Sequence, residues 1–196
     1  MRVYMKKTFL HLSIATVLAM GMSGVANAAG TNLDVNFTAN IRETTCDMKL
    51  VGGTGSDTQQ TLTIGDGNGQ VRFDDVKSGN ASATFKIAVI ECPESLQSLK
   101  TTVKGSASGY LATGLKNLID KASGGSDFSA IEIARASSPT APFTINSTTD
   151  AERLVWSSTE ISNKEVPLIA TIRETQTDKM TIGSFKAIAT FEFTYE

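Results

Sequence analysis

Polar and apolar residues alternate most regularly at the two ends of the chain. Near the start, Leu33, Val35, Phe37, Ala39 and Ile41 share one side, and Asp34, Asn36, Thr38, Asn40 and Arg42 share the other. At the end, Phe185, Ala187, Ala189, Phe191, Phe193 and Tyr195 point one way, with Ile188 the single lapse on the opposite side. Successive side chains of a strand face opposite sides of a sheet, so both runs predict strands with one buried face. Between them, apolar runs bounded by glycine and polar turns predict strands near 59–65, 70–76, 83–92, 99–105, 129–135, 142–146, 151–157 and 165–173. One segment has helical spacing: Leu115, Leu118, Ile119 and Ala122 fall at i, i+3, i+4 and i+7, and Ser123-Gly124-Gly125 follows as a stop signal. No internal repeat or linker divides the pattern.

The first 28 residues follow a different logic. Arg2, Lys6 and Lys7 precede an apolar stretch from Phe9 to Val25, and Ala26-Asn27-Ala28 fits the small-residue cleavage pattern. Residues 1–28 are therefore expected to be a signal peptide, with a mature domain over 29–196. Gly21, Ser23 and Gly24 interrupt the apolar run and no basic flank follows it, which argues against an uncleaved anchor. Removal of this segment takes three basic groups with it and leaves 168 residues, 15 basic against 20 acidic, a balance of −5. No basic stripe for nucleic acid remains. Of those 168 residues, 23 are threonine and 17 serine, a composition that fits an all-β sandwich or barrel.

The one histidine, His11, lies in the signal segment. A mature chain without imidazole excludes Ser-His-Asp and Cys-His triads and any histidine-ligated zinc. Cys46 and Cys92 remain, and export places them where thiols oxidise, so one disulfide is expected. In the chain-entropy model a loop of about 45 residues is worth roughly 4 kcal/mol. Two catalytic thiols would lack a base to activate them.

The remaining site-like features have plainer explanations. Gly65-Asp66-Gly67-Asn68-Gly69 fails the calcium-loop pattern, since Gln70 and Lys77 occupy ligand positions, and it reads as a turn. Asp74 and Asp75 would face opposite sides of a strand and fit a solvated turn. Trp156, between Val155 and Ser157, reads as core. Asn36, Asn80 and Asn146 each open an N-glycosylation triplet, as chance allows in so Ser/Thr-rich a chain. No catalytic constellation is left: the chain is expected not to be an enzyme and to carry no metal or cofactor.

Several motifs, in order, resemble the subunits of chaperone–usher fimbriae of the type 1 kind. Phe37 lies nine residues before Cys46 in Val35-Asn36-Phe37-Thr38-Ala39-Asn40-Ile41, as in the family's N-terminal extension and first strand. Thr61-Leu62-Thr63-Ile64-Gly65 is similar to its T-V-x-L-G segment, and Phe85 to Cys92 to the strand that ends in the second cysteine. Ile131-Glu132-Ile133 and Val166-Pro167-Leu168-Ile169-Ala170 are similar to two further strands. Gly183, twelve residues before the penultimate Tyr195, opens a segment similar to the signature C-terminus.

The resemblance implies an incomplete immunoglobulin-like sandwich that lacks its last strand and is completed by donor-strand exchange. Residues 29–43 would be the donor extension, presenting Leu33, Val35, Phe37, Ala39 and Ile41. Gly183, Phe191, Phe193, Tyr195 and the Glu196 carboxylate would form the groove edge gripped by a periplasmic chaperone. The implied partners are that chaperone, an outer-membrane usher and neighbouring fimbrial subunits, and the implied route runs through the periplasm to a fimbria at the cell surface, contributing to cell adhesion. Two departures stand out. Ala39 replaces the glycine of the family's F-x-G-x-I, and the extension is short, as in a minor or adaptor subunit. The alternative is a self-contained secreted β-sandwich that binds a carbohydrate or protein, with 33–41 as its own first strand.

Overall fold

The computed structural model describes residues 45–94 and 96–195. The expected strand at 33–41, the signal segment and Glu196 lie outside those residues. The described chain forms ten strands: β1 (Asp47–Val51), β2 (Thr54–Gly55), β3 (Gln60–Thr61), β4 (Ser82–Glu91), β5 (Leu99–Gly105), β6 (Gly114–Lys116), β7 (Ser129–Arg135), β8 (Leu154–Val155), β9 (Glu165–Glu174) and β10 (Ala189–Tyr195). Two short helices interrupt them, α1 (Phe73–Ser78) and α2 (Ser158–Asn163), with one 3-10 turn at Lys121–Ser123.

Antiparallel pairing builds a five-stranded sheet in the order β1-β4-β9-β7-β6 and a three-stranded sheet in the order β10-β5-β8, with β2 and β3 as a small separate ribbon. The two main sheets close on a shared core in which Ile87, Leu99, Leu115, Leu154, Leu168, Val103 and Val166 are almost wholly buried. This is the sandwich expected from the alternation. Trp156 lies in that core, and its indole N–H donates to Thr101 Oγ1 at 2.9 Å, which satisfies both buried polar groups. Cys46 and Cys92 are joined in a disulfide that ties the residue before β1 to the residue after β4.

The strands at 99–105 and 129–135 fall where the alternation predicts them. Five expectations are corrected. The helix expected from Leu115 to Ala122 is a short strand and a 3-10 turn, because Gly114, Leu115 and Lys116 pair with Glu132, Ile131 and Ala130. Leu115 alone of that stripe reaches the core. Asn117 then ends the strand by binding backbone itself, the competition with regular structure for which asparagine is suited. The strand expected at 70–76 is α1 from residue 73 on, with Asp74 and Asp75 in its positive first turn, Lys77 in its last and Gly79 at φ 77° closing it. The segment 142–146 enters no sheet, although Phe143 N–H donates to the Ile133 carbonyl at 2.9 Å. The strands expected at 59–65 and 151–157 shrink to Gln60–Thr61 and Leu154–Val155.

Candidate functional site: an open strand groove

The last strand has a partner on one edge. Every residue of β10 is paired with β5, from Ala189 opposite Gly105 to Tyr195 opposite Leu99. On its other edge β10 meets no strand among the described residues. Among the described residues the neighbouring sheet ends on that side at β1, whose only paired strand is β4. Between these two edges runs an apolar groove of about 1640 Å³, walled by Met48 and Leu50 of β1, Phe85 of β4 and Phe191 and Phe193 of β10, with Ile133 and Ile172 at its floor.

Alternation along 185–195 is complete in the structure: the residues expected to face inward do so and the intervening ones are exposed. Yet Phe191, Phe193 and Tyr195 are only half-buried, as are Met48, Leu50 and Phe85 across the gap. A strand that points aromatics inward and still leaves them wet is missing a neighbour, because water-exposed apolar area of this kind stabilises nothing until it is covered. Phe85 and Phe191 pack with ring centroids 5.8 Å apart, and Phe193 stacks beside Tyr195 at 6.4 Å. These contacts hold the groove's wall without filling it.

The two ends of the groove are closed differently. At the Tyr195 end, the phenol donates to the Cys46 carbonyl at 3.4 Å, and burial holds the Tyr195 hydroxyl pKa above its ordinary value, with the Cys46 bond working the other way. At the Ala189 end, the segment 180–188 crosses over the 117–127 loop. Asn117 is its anchor: its amide donates to the carbonyls of Ser126 and Ser184 at 2.9 and 2.8 Å, and its Oδ1 accepts from Ile119 and Lys186. Thr181 and Ser184 add further bonds to 124–127.

Gly183 belongs to this crossing. A Cβ there would come within 2.5 Å of the Gly125 and Ser126 backbone, so glycine is required by close approach. The structure thus brings Gly183, Phe191 and Phe193 to one groove, and Tyr195, further along β10, bonds to Cys46 of the disulfide. Leu33, Val35, Phe37, Ala39, Ile41 and Glu196 lie outside the described residues. Sequence reasoning missed Met48 and Leu50, whose period-two spacing directly after Cys46 was the available signal. It also missed Asn117, for which a lone asparagine in a loop gives no signal.

A family model described as Fimbrial protein matches residues 35–196. The uncharacterized fimbrial-like protein YadM of Escherichia coli (strain K12) is 27% identical over 190 residues, which cover 92% of this chain and 95% of the relative. Among solved structures, the P pilus rod subunit PapA has a TM-score of 0.50 at 15% identity, over 83% of this chain and 100% of that one. At that identity the likeness shows the fold alone.

Proposed function

The chain belongs to the fimbrial protein family of structural pilus subunits, and from that premise we propose that it polymerises by donor-strand exchange. Family membership puts it in fimbriae at the cell surface. In the proposal, residues 1–28 direct export, and a periplasmic chaperone first lends a strand to the groove. An outer-membrane usher then presents the subunit to a neighbour, whose extension replaces the chaperone strand. The subunit's own extension, residues 29–43, serves another neighbour in the same way.

The observation that carries this reading is the half-buried inward face of β10, which is paired with β5 on one edge and with no strand on the other among the described residues. Strand addition to an exposed sheet edge, of which pilin donor-strand complementation is itself the standing example, combines main-chain bonds with pockets for alternate side chains. The magnitudes say which part decides. Each main-chain hydrogen bond is worth about 1 kcal/mol net, and ordering each backbone residue costs about 1–2 kcal/mol. These terms roughly offset each other. Each apolar side chain driven into the groove adds about 1.5–3 kcal/mol. The alternate residues of the donor therefore decide whether it stays.

The test is expression of residues 29–196 in the periplasm with and without the cognate chaperone. Strand exchange predicts a soluble one-to-one complex with the chaperone, and aggregation or proteolysis without it. A stable, soluble monomer without chaperone would overturn the proposal and favour the self-contained binding module.

A further inference from the structure

The groove has two unlike ends. Where β10 begins, three large aliphatic side chains stand in solvent: Ile182 is 89% exposed, Ile188 57% and Leu118 40%. They are held together by the Asn117 anchor and by the Leu118 N–H bond to the Lys186 carbonyl at 2.8 Å. Lys116 and Lys186 are exposed beside them, and neither has an ion pair among the described residues. Of the acids nearby, Asp127 is taken by Lys121 at 3.6 Å and Asp120 offsets one charge, so this end is net positive.

Where β10 ends, the character reverses. Tyr195 meets Cys46, and around that contact Asp47, Glu91 and Glu94 are exposed without ion pairs among the described residues. Lys164, bonded through its carbonyl to Val89 N–H, offsets one of them, and Lys100, opposite Thr194, is paired with Asp150 at 3.2 Å, which leaves this end net negative. Ile90, 55% exposed, adds an apolar contact.

We infer that the collar of Leu118, Ile182, Ile188, Lys116 and Lys186 docks the acidic pole of a second copy of this chain, the copy whose extension fills the groove. The inference rests on the strand-exchange reading above and adds a contact between folded bodies to it. Chain length forces the bodies together. From Ile41, the last alternating residue of the extension, to Thr45 is four residues, which span at most roughly 13 Å.

Charge then selects the direction. A donor running antiparallel to β10 leaves the groove at Ala189 and delivers its Asp47, Glu91 and Glu94 to the acceptor's lysines. A parallel donor would bring two acidic poles together, at the point where the acceptor's own extension departs. Like charges so opposed are strongly unfavourable. The antiparallel contact is head-to-tail, the class that propagates as an open filament instead of closing.

The test measures addition of one full mature chain to another, starting from chaperone-bound protein. Uptake of a synthetic peptide of residues 29–43 into the same groove is followed in parallel. Acceptor K116E/K186E should slow chain addition about tenfold or more at low salt, with the deficit shrinking as salt rises, and slow peptide uptake far less than chain addition. Donor D47K/E91K/E94K should restore the rate on that acceptor and slow addition to the wild-type acceptor. Unchanged addition to K116E/K186E, or no rescue by the reversed donor, would overturn the inference. Failure of the peptide to enter the wild-type groove would instead bring down the strand-exchange reading, and the docking contact with it.

Discussion

The two sides of this sandwich carry the same sequence pattern and reach different ends. On the closed side, Leu99 and Val103 of β5 meet Val166 and Leu168 of β9, each no more than 1% exposed. On the open side, Phe191 and Phe193 of β10 look across to Met48 and Leu50 of β1, and all four remain half-buried. Both sides alternate with period two and both present large apolar residues. What separates them is the count of neighbours: β9 is flanked by β4 and β7, whereas β10 has β5 alone among the described residues. Inward-facing residues are thus a promise of burial that only a neighbouring strand fulfils.

Substitutions on the two sides should separate folding from acceptance of a strand. The largest effect is expected at their seam. Replacing Cys46 and Cys92 with alanine should cost the strand-filled chain about 4 kcal/mol, read from urea unfolding midpoints, because it frees a loop of 46 residues. On the closed side, Leu168→Ala should cost about 3 kcal/mol of unfolding stability and leave affinity for the 29–43 peptide within about tenfold. On the open side, Phe193→Ala should do the reverse. Peptide binding should weaken about a hundredfold, equivalent to about 2–3 kcal/mol, with a smaller change in the stability of the unfilled body on its chaperone. If the two variants have the same profile, the distinction between the sides fails.

The smallest effect is expected at α2, which braces the closed side. Ser157 and Glu160 form a reciprocal capping box, and Arg135 of β7 donates to both Glu160 oxygens at 2.8 and 3.0 Å. Ser157→Ala should cost about 1 kcal/mol. Burial pushes the Glu160 carboxyl pKa up, but Arg135 and the Ser157 N–H outweigh it and hold the group below its ordinary 4.5. A depressed carboxyl stabilises the fold above its unfolded pKa and loses that contribution as pH falls through the folded one. Acid titration of the wild-type chain should therefore show a stability loss below about pH 4.5 that Glu160→Gln lacks.

Much of the closed side could be read directly from sequence. Leu99-to-Gly105 and Ser129-to-Arg135 were legible because their ladders are long and one face is dry. Short elements were not. At 115–122 the helical spacing was real, but Gly114 and Asn117 favour a strand end and a turn, and pairing with Ile131 settled it. At 73–78 the i, i+3 pair Phe73 and Val76, with acids in the first turn and Gly79 after the last, outweighed the alternation. Helix α2 carries its own signal in the capping box Ser157-x-x-Glu160. The groove posed a different problem. Its expected edge residues come from the family resemblance, since local pattern cannot tell a covered strand from an uncovered one.

The placement of the disulfide has a mechanical consequence. β1 is an edge strand, paired among the described residues with β4 and held on its other side through Leu50, which bonds to Asp57 and Gln60. Edge strands pulled from one end unzip one hydrogen bond at a time. Any tension applied to the chain ahead of Thr45 reaches Cys46 before it reaches β1. There the covalent bridge carries it to Cys92 and the end of β4, which is paired on its far side to β9 over seven residues. The load bypasses the weakest ladder and arrives in the middle of the sheet, where many bonds must break together. A thread hung from this point is tied to the beam and not to the edging.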